Sequence, residues 1–298
     1  MKEIIFREKE ELNIKKNMGK FLEYIDVSQK TIKTYEIALK QFGEYLCQNN
    51  IITPTRENII AYREHIASYL KPTSVNSYLI AVRNFYKWLE YEEITKDITK
   101  NIKGIKLEER HLKRGLSEEE IKLVLDNCKD IREELLIKLM ISCALRVNEV
   151  VNIRLNDFYQ EQGVTMLNIL GKGRGGIKQD RVKIDQRILE IMKQYINEYN
   201  IKDYLFTSTS NNKKEQLTTK TIRLIVTNIF KRSGLDMNRL SSHSTRHTSC
   251  EILLQKGVPI QEVSQFLRHK SLSTVMIYAK ELNQRTSKSA NILSDQFF

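Results

Sequence analysis

Three of the five histidines, His243, His247 and His269, fall within 27 residues, and Arg246, Arg268 and Tyr278 lie in or just after that stretch. Such a set suits phosphoryl transfer without a metal. A phosphodiester transition state spreads negative charge over its non-bridging oxygens, and a guanidinium fork holds two of them bidentately. Two forks are wanted, because one cannot surround the phosphorus. His243 and Arg246 are three residues apart and share one face of a helical turn. Arg146 and Glu149 repeat that spacing inside Cys143-Ala144-Leu145-Arg146-Val147-Asn148-Glu149. This reads as a helix, and an arginine in the middle of so apolar a helix needs a partner. At this point the pair reads equally as a buried salt bridge with a structural role.

The elements that must position these residues are mostly helical. Gly (11) and Pro (3) are scarce, together about 5% of the chain against roughly 12% in average usage. A strand-and-turn-rich fold would need more of both. Ser28 reads as a helix start, with Ile32, Tyr35, Leu39, Phe42 and Leu46 at helical spacing behind it. Thr53-Pro54 and Lys71-Pro72 mark the next two breaks. Val75, Leu79, Val82, Phe85, Tyr86 and Leu89 form one face of a third helix, with Trp88 in its core. Residues 94–115 turn polar and basic, which reads as an interdomain linker. Ser117 with Glu120 fits a capping box that opens a second domain. There, Met166 to Leu170 and Arg181 to Ile184 flank Gly171-Lys172-Gly173-Arg174-Gly175-Gly176. That pattern predicts a β-hairpin with a glycine-rich, cationic tip. Helices then resume to about Tyr278.

Taken in order, these motifs resemble the tyrosine site-specific recombinases, the family of phage integrases, Xer and Cre-like proteins. The family pattern is an arginine in Leu-Arg-x-x-Glu, a lysine at a hairpin tip, His-x-x-Arg-His, Leu-Gly-His-x-Ser, and then a tyrosine. Here it reads Leu145-Arg146-Val147-Asn148-Glu149, Gly171-Lys172-Gly173, His243-Ser244-Thr245-Arg246-His247, Leu267-Arg268-His269-Lys270-Ser271 and Thr274-Val275-Met276-Ile277-Tyr278. The match covers about 115–280, and the helical module before it is similar to the family's core-binding domain.

The resemblance implies a mainly α fold with a small β-hairpin or sheet. It implies an N-terminal helical core-binding domain (1–102), a basic linker (103–115), a catalytic domain (116–282) and a tail (283–298) exchanged between protomers. The two domains would form a C-shaped clamp on DNA. It also assigns roles. Tyr278 is the nucleophile that forms a 3′-phosphotyrosine. Arg146 and Arg246 clamp the phosphate. Lys172 is the general acid, with Lys178 as the competing lysine. His243 assists proton transfer from the tyrosine, His269 donates to the phosphate, and Glu149 orients its neighbours. His247, directly after Arg246, faces elsewhere and reads as structural. One departure stands out: Arg268 takes the place where the family often has glycine, which puts a cation beside the phosphate pocket. No metal or other cofactor is expected. The implied partners are double-stranded DNA with an inverted-repeat core site and three further copies of the chain in a synaptic tetramer, with room for accessory proteins. The implied use is chromosome or plasmid dimer resolution, or integration and excision of a mobile element. With the first helical domain starting by about residue 18, the simpler two-domain type is expected. The rivals are a relative that binds DNA without cutting it, and a type IB topoisomerase-like enzyme that relaxes DNA.

Composition agrees with a polyanionic partner. Lys plus Arg is 49 against 37 Asp plus Glu, a net charge of +12 over 298 residues, and basic side chains release counterions when they neutralise phosphates. Residues 111–298 carry +9 of that excess. Lys30, Lys33, Arg83 and Lys87 on the first helices, Lys103 and Lys106 on the linker, and Arg174 and Lys178 at the hairpin are the candidate DNA contacts. Gly171–Gly176 has the G-x-G-x-x-G spacing but lies at the tip between two strand-like runs rather than opening a helix, and G-x-x-x-x-G-K-[ST] does not occur, which disfavours Rossmann and P-loop enzymes. No run approaches the roughly 18 apolar residues of a spanning helix, and Met1 to Glu11 lacks a signal-peptide core, so no membrane is expected and a cytoplasmic location is. Cys47, Cys128, Cys143 and Cys250 show no metal or disulfide spacing and read as small buried hydrophobes.

Overall fold

The computed structural model describes residues 14–106, 114–171, 180–208, 215–268, 272 and 275–280. Its contacts divide the chain into two compact units, Met1–Arg110 and His111–Phe298. The middle of the expected linker, the hairpin tip and the C-terminal tail lie outside the described residues.

Among the described residues, the first unit is four helices, α1 (Ile14–Tyr24), α2 (Gln29–Gln48), α3 (Arg56–Ala67) and α4 (Pro72–Tyr91). Ser28 caps α2, its hydroxyl accepting from the Thr31 amide at 3.3 Å. Pro72 occupies the first turn of α4, where its missing N–H costs nothing. The stripe Val75, Leu79, Val82, Phe85, Tyr86 and Leu89 is wholly buried. It packs with Phe21, Leu39, Phe42, Ile59, Tyr62 and Ile66 from the other three helices. Ring edges meet ring faces inside, Phe42 on Tyr62 at 5.0 Å and Phe21 on Phe85 at 5.6 Å between centroids.

The second unit begins with α5 (Glu118–Asp126), α6 (Ile131–Ser142) and the short α7 (Val147–Val151). Ser117 and Glu120 form the expected capping box. A sheet follows, β1 (Phe158–Glu161), β2 (Val164–Ile169) and β3 (Asp180–Lys183), antiparallel in the order β1-β2-β3. Strand β1 extends the expected hairpin by a third strand. It turns into β2 through Gln162 and Gly163, both at positive φ (49° and 77°), the twist a two-residue hairpin loop requires. Leu167 on β2 sits opposite Phe158 and Val182. Then come α8 (Gln186–Tyr199), α9 (Thr219–Arg232), α10 (Ser244–Gln255) and α11 (Ile260–Phe266), and a last helical stretch over 275–280. The apolar core joins α6 (Leu135, Leu139, Met140), β2 (Leu167, Ile169) and α9 (Ile222, Val226, Phe230).

One strap fixes α10, the helix that carries the His-x-x-Arg-His motif. The Gly115 amide donates to Glu251 at 2.9 Å and the Leu116 amide to the Thr248 hydroxyl at 2.7 Å. A Cβ at Gly115 would stand 2.8 Å from the Thr248 backbone, so only glycine allows this approach. The cysteines divide: Cys143 and Cys250 are buried as expected, Cys128 is half-buried, and Cys47 is exposed. Cys47 falls on the outer side of the amphipathic α2, whose apolar face is already filled by Leu39, Phe42 and Leu46. Among the described residues, no helix is long and apolar enough to cross a membrane.

Candidate active site

The site is built at a break in the backbone. Helix α6 stops at Ser142, and Ala144 turns left-handed at φ 46°. Arg146 therefore stands at the N-cap of α7 rather than inside a helix. Its backbone amide donates to Glu149 Oε2 at 2.8 Å and its Nη1 to Glu149 Oε1 at 2.6 Å. Glu149 is only 2% exposed, while the Arg146 side chain keeps 23%. Burial pushes the Glu149 carboxyl up. The charge of Arg268, then the Arg146 amide and guanidinium, outweigh this and hold it below the usual carboxylate range.

Helix α10 supplies the second guanidinium. Arg246 is buried and its Nη1 donates to the Ala144 carbonyl. Its Nη2 is buried and has no acceptor among the described residues. Burial, followed by the Arg146 and Arg268 charges, pushes the Arg246 guanidinium down to about 9. It is still charged at neutral pH, and that repulsion is what an anion in the pocket would relieve. Three arginines thus surround one carboxylate.

So polar a helix can be buried because its small side chains find acceptors. Thr248 donates back to the Ser244 carbonyl at 2.8 Å, and Ser249 to the Thr245 carbonyl at 3.1 Å. His243, the residue before α10, stays exposed at one side. Desolvation, followed by the charges of Arg246, Arg146 and Arg223, lowers its pKa, so the ring is neutral at pH 7. Arg223, on α9, is a cation of this pocket that the sequence reading did not single out.

Tyr278 lies in the 275–280 stretch and is 8% exposed. Its hydroxyl hydrogen-bonds to His247 Nδ1. The rings are 5.0 Å apart, and the His243 ring is 5.8 Å beyond His247. The residue read from sequence as structural is thus the one that touches Tyr278. His247 does face away from Arg246, as consecutive helical residues must, but what it faces is the tyrosine. No spacing rule could have shown this, because the two residues are 31 positions apart.

The structure brings together Arg146, Glu149 and Arg246, and sets His243 beside His247 and Tyr278. Lys172, Arg174, Lys178 and His269 lie outside the described residues. In the first unit, Lys30, Lys33, Lys87, Lys103 and Lys106 are exposed. Arg83 is half-buried and spends an N–H on the Ile102 carbonyl.

Comparison with known proteins gives two family matches. Residues 114–285 match the model of the phage integrase family, and residues 19–93 that of the phage integrase N-terminal SAM-like domain. A tyrosine recombinase XerA of Pyrococcus horikoshii is 27% identical over 280 residues, covering 92% of each chain. A tyrosine recombinase XerC of Staphylococcus epidermidis is 27% identical over 278 residues, covering 88% of this chain and 90% of the relative. The site-specific recombinase XerH, solved on a palindromic difH substrate after cleavage, aligns with a TM-score of 0.72 at 25% identity, over 88% of this chain and 80% of that one. A lambda integrase tetramer on a Holliday junction aligns at 0.70 and 17% identity, over 89% of this chain and 76% of that one, a likeness of fold.

Proposed function

The chain belongs to the phage integrase family, and from that premise we infer that it is a site-specific tyrosine recombinase, which cuts and rejoins duplex DNA through a 3′-phosphotyrosine. The observation that carries this reading is the double service of α10. One turn of that helix delivers Arg246 into the cationic cluster and His247 onto the Tyr278 hydroxyl. Clamp and nucleophile are set by the same element.

The chemistry follows from those positions. Arg146 and Arg246 hold the non-bridging oxygens of the scissile phosphate, the Nη2 of Arg246 being a donor without an acceptor among the described residues. Tyr278 Oη bonds to phosphorus as the bond to the 5′-oxygen breaks. The phenolic proton goes to His247, in contact on α10, with neutral His243, the residue before the helix, beside it to assist the transfer. Lys172 gives its proton to the leaving 5′-oxygen, with Lys178 the competing donor, and His269 donates to the phosphate. Attack by a 5′-hydroxyl of the partner duplex reverses the step and releases Tyr278.

The first unit holds the flank of the core site through Lys30, Lys33, Lys87 and, in its basic last segment, Lys103 and Lys106. The working form on double-stranded DNA is a tetramer, with the tail after residue 282 exchanged between protomers. The reaction takes place with the DNA in the cytoplasm. Dimer resolution and mobile-element integration or excision both need this chemistry, and the recovered site would tell them apart. A relative that only binds DNA has no use for the complete set, and relaxation needs no partner duplex.

The test is covalent capture. A library of short nicked duplexes is incubated with the protein, and adducts that survive denaturation are recovered and sequenced. Wild type is expected to give an adduct on an inverted-repeat site and Tyr278→Phe none. DNA bound but never linked would overturn the catalytic reading. An adduct that persists in Tyr278→Phe would overturn the nucleophile.

A further inference from the structure

Arg268 stands where the backbone least favours an arginine. Its φ is 53°, a left-handed position that costs any residue with a Cβ and suits glycine. The side chain repays the strain. Nη1 donates to the carbonyls of Cys143 (3.1 Å) and Phe266 (2.9 Å), and Nη2 to the Ala144 carbonyl (2.8 Å) and Glu149 Oε2 (3.0 Å). Its own carbonyl accepts from Arg146 Nη2 at 3.4 Å. The Ala144 carbonyl it grips is the one that also takes Arg246 Nη1. A single residue therefore touches Arg146, Glu149 and the turn that seats Arg246.

We propose that Arg268 is a positioning residue for the phosphate clamp: it ties Glu149 to the Cys143–Ala144 turn and so leaves Arg146 and Arg246 an edge each for the anion. This rests on reading those two arginines as the clamp. Arg268 does not itself grip phosphate, since its side chain is 6% exposed and both terminal nitrogens are committed to protein acceptors. Without it, Glu149 would answer only to Arg146, drawing that fork inward and cancelling its charge. With it, Arg146, Arg246 and Arg268 stand around the single carboxylate of Glu149 among the described residues, and the excess of positive charge is left for an anion.

Among the described residues, the charged groups facing Glu149 are Arg146 at the α7 cap, Arg268 after α11, and Arg246 with His243 on and before α10. The charge of Arg268 is the largest single effect that holds its carboxyl down, ahead of each of the separate effects of Arg146. Removing it raises the Glu149 pKa and moves the acid limb of the melting-temperature profile to higher pH.

The experiment compares wild type, Arg268→Gly and Arg268→Gln in the full chain. Gly relieves the backbone, and Gln keeps donors while losing charge. Single-turnover cleavage on a nicked substrate, DNA affinity and melting temperature are measured across pH. Expected are cleavage slower by about 10–100-fold in both variants, DNA affinity within about twofold, and the acid limb of the melting-temperature profile shifted up. Wild-type cleavage with an unmoved limb in either folded variant overturns the proposal. So does a loss of melting temperature and cleavage in parallel with the limb in place, which is ordinary packing. Should Gly fail to fold, Gln decides. Tyr278→Phe runs alongside: if it still links DNA, the recombinase reading has failed rather than this one.

Discussion

Helices α4 and α10 bury themselves by opposite means. The inner face of α4 is Val75, Leu79, Val82, Phe85 and Leu89, which need only close neighbours. Helix α10 buries Ser244, Thr245, Arg246, Thr248 and Ser249, each of which needs a particular acceptor at a particular distance. Apolar burial is non-directional and tolerates any neighbour of the right volume. A buried guanidinium is stable only where the rest of the chain has placed its partners. The first strategy makes a scaffold, and the second makes a site whose charge excess can act on an anion.

The sharpest way to break this comparison is to remove the central carboxylate. Glu149→Gln leaves Arg146 and Arg268 without their shared charge and is expected to cost about 3–5 kcal/mol of stability in the second unit. Circular dichroism during urea unfolding would record it. Trp88, the single tryptophan, reports on the first unit alone, and its fluorescence transition should stay in place. The cost should also depend on pH in a set direction. Glu149 has a folded pKa below its unfolded value. Its contribution is therefore complete above the unfolded value of about 4.3 and is lost as pH falls through the folded one. The gap between wild type and variant must narrow in acid.

Phe85→Ala is the apolar counterpart. It opens a cavity among Phe21, Tyr86 and Trp88 and is expected to cost about 3–5 kcal/mol, now in the Trp88 transition and without that pH dependence. If both variants moved both transitions equally, the distinction between scaffold and site would collapse.

Smaller changes sharpen it. Gly115→Ala forces a methyl onto the Thr248 backbone and should cost about 1–3 kcal/mol; because it displaces α10, it should slow cleavage more than the stability loss explains. Ser28→Ala removes only a cap on α2, about 1 kcal/mol, and cleavage by the folded protein should be unchanged. The pH profile gives the finest test. His243 has its pKa lowered from 6.5, so it stays neutral to below that pH. Single-turnover cleavage should hold level from pH 8 down to about 6.5, and a rate already halved at pH 7 would contradict the burial and cation effects assigned to it.

Much of this was legible in the residues alone. The α4 stripe, the caps Ser28 and Ser117, the ordered motifs from Arg146 to Tyr278 and the mainly helical class are local patterns, set by 3.6-residue periodicity and by caps within three residues. Strand β1 was not legible, since four residues with no alternating burial become a strand only by pairing with β2. Nor was the break at Ala144, whose positive φ turns a residue expected inside a helix into the cap of the next one. The contact of His247 with Tyr278, the retreat of Arg268 onto Glu149, and the exposure of Cys47 likewise depend on which surfaces meet. The order of residues is enough to say which side chains exist to do the chemistry and which helices carry them, because those signals are short-range. Which nitrogen faces which oxygen is settled in the folded chain, because partners far apart in sequence are chosen by packing, and a buried charge has no stable position until they arrive.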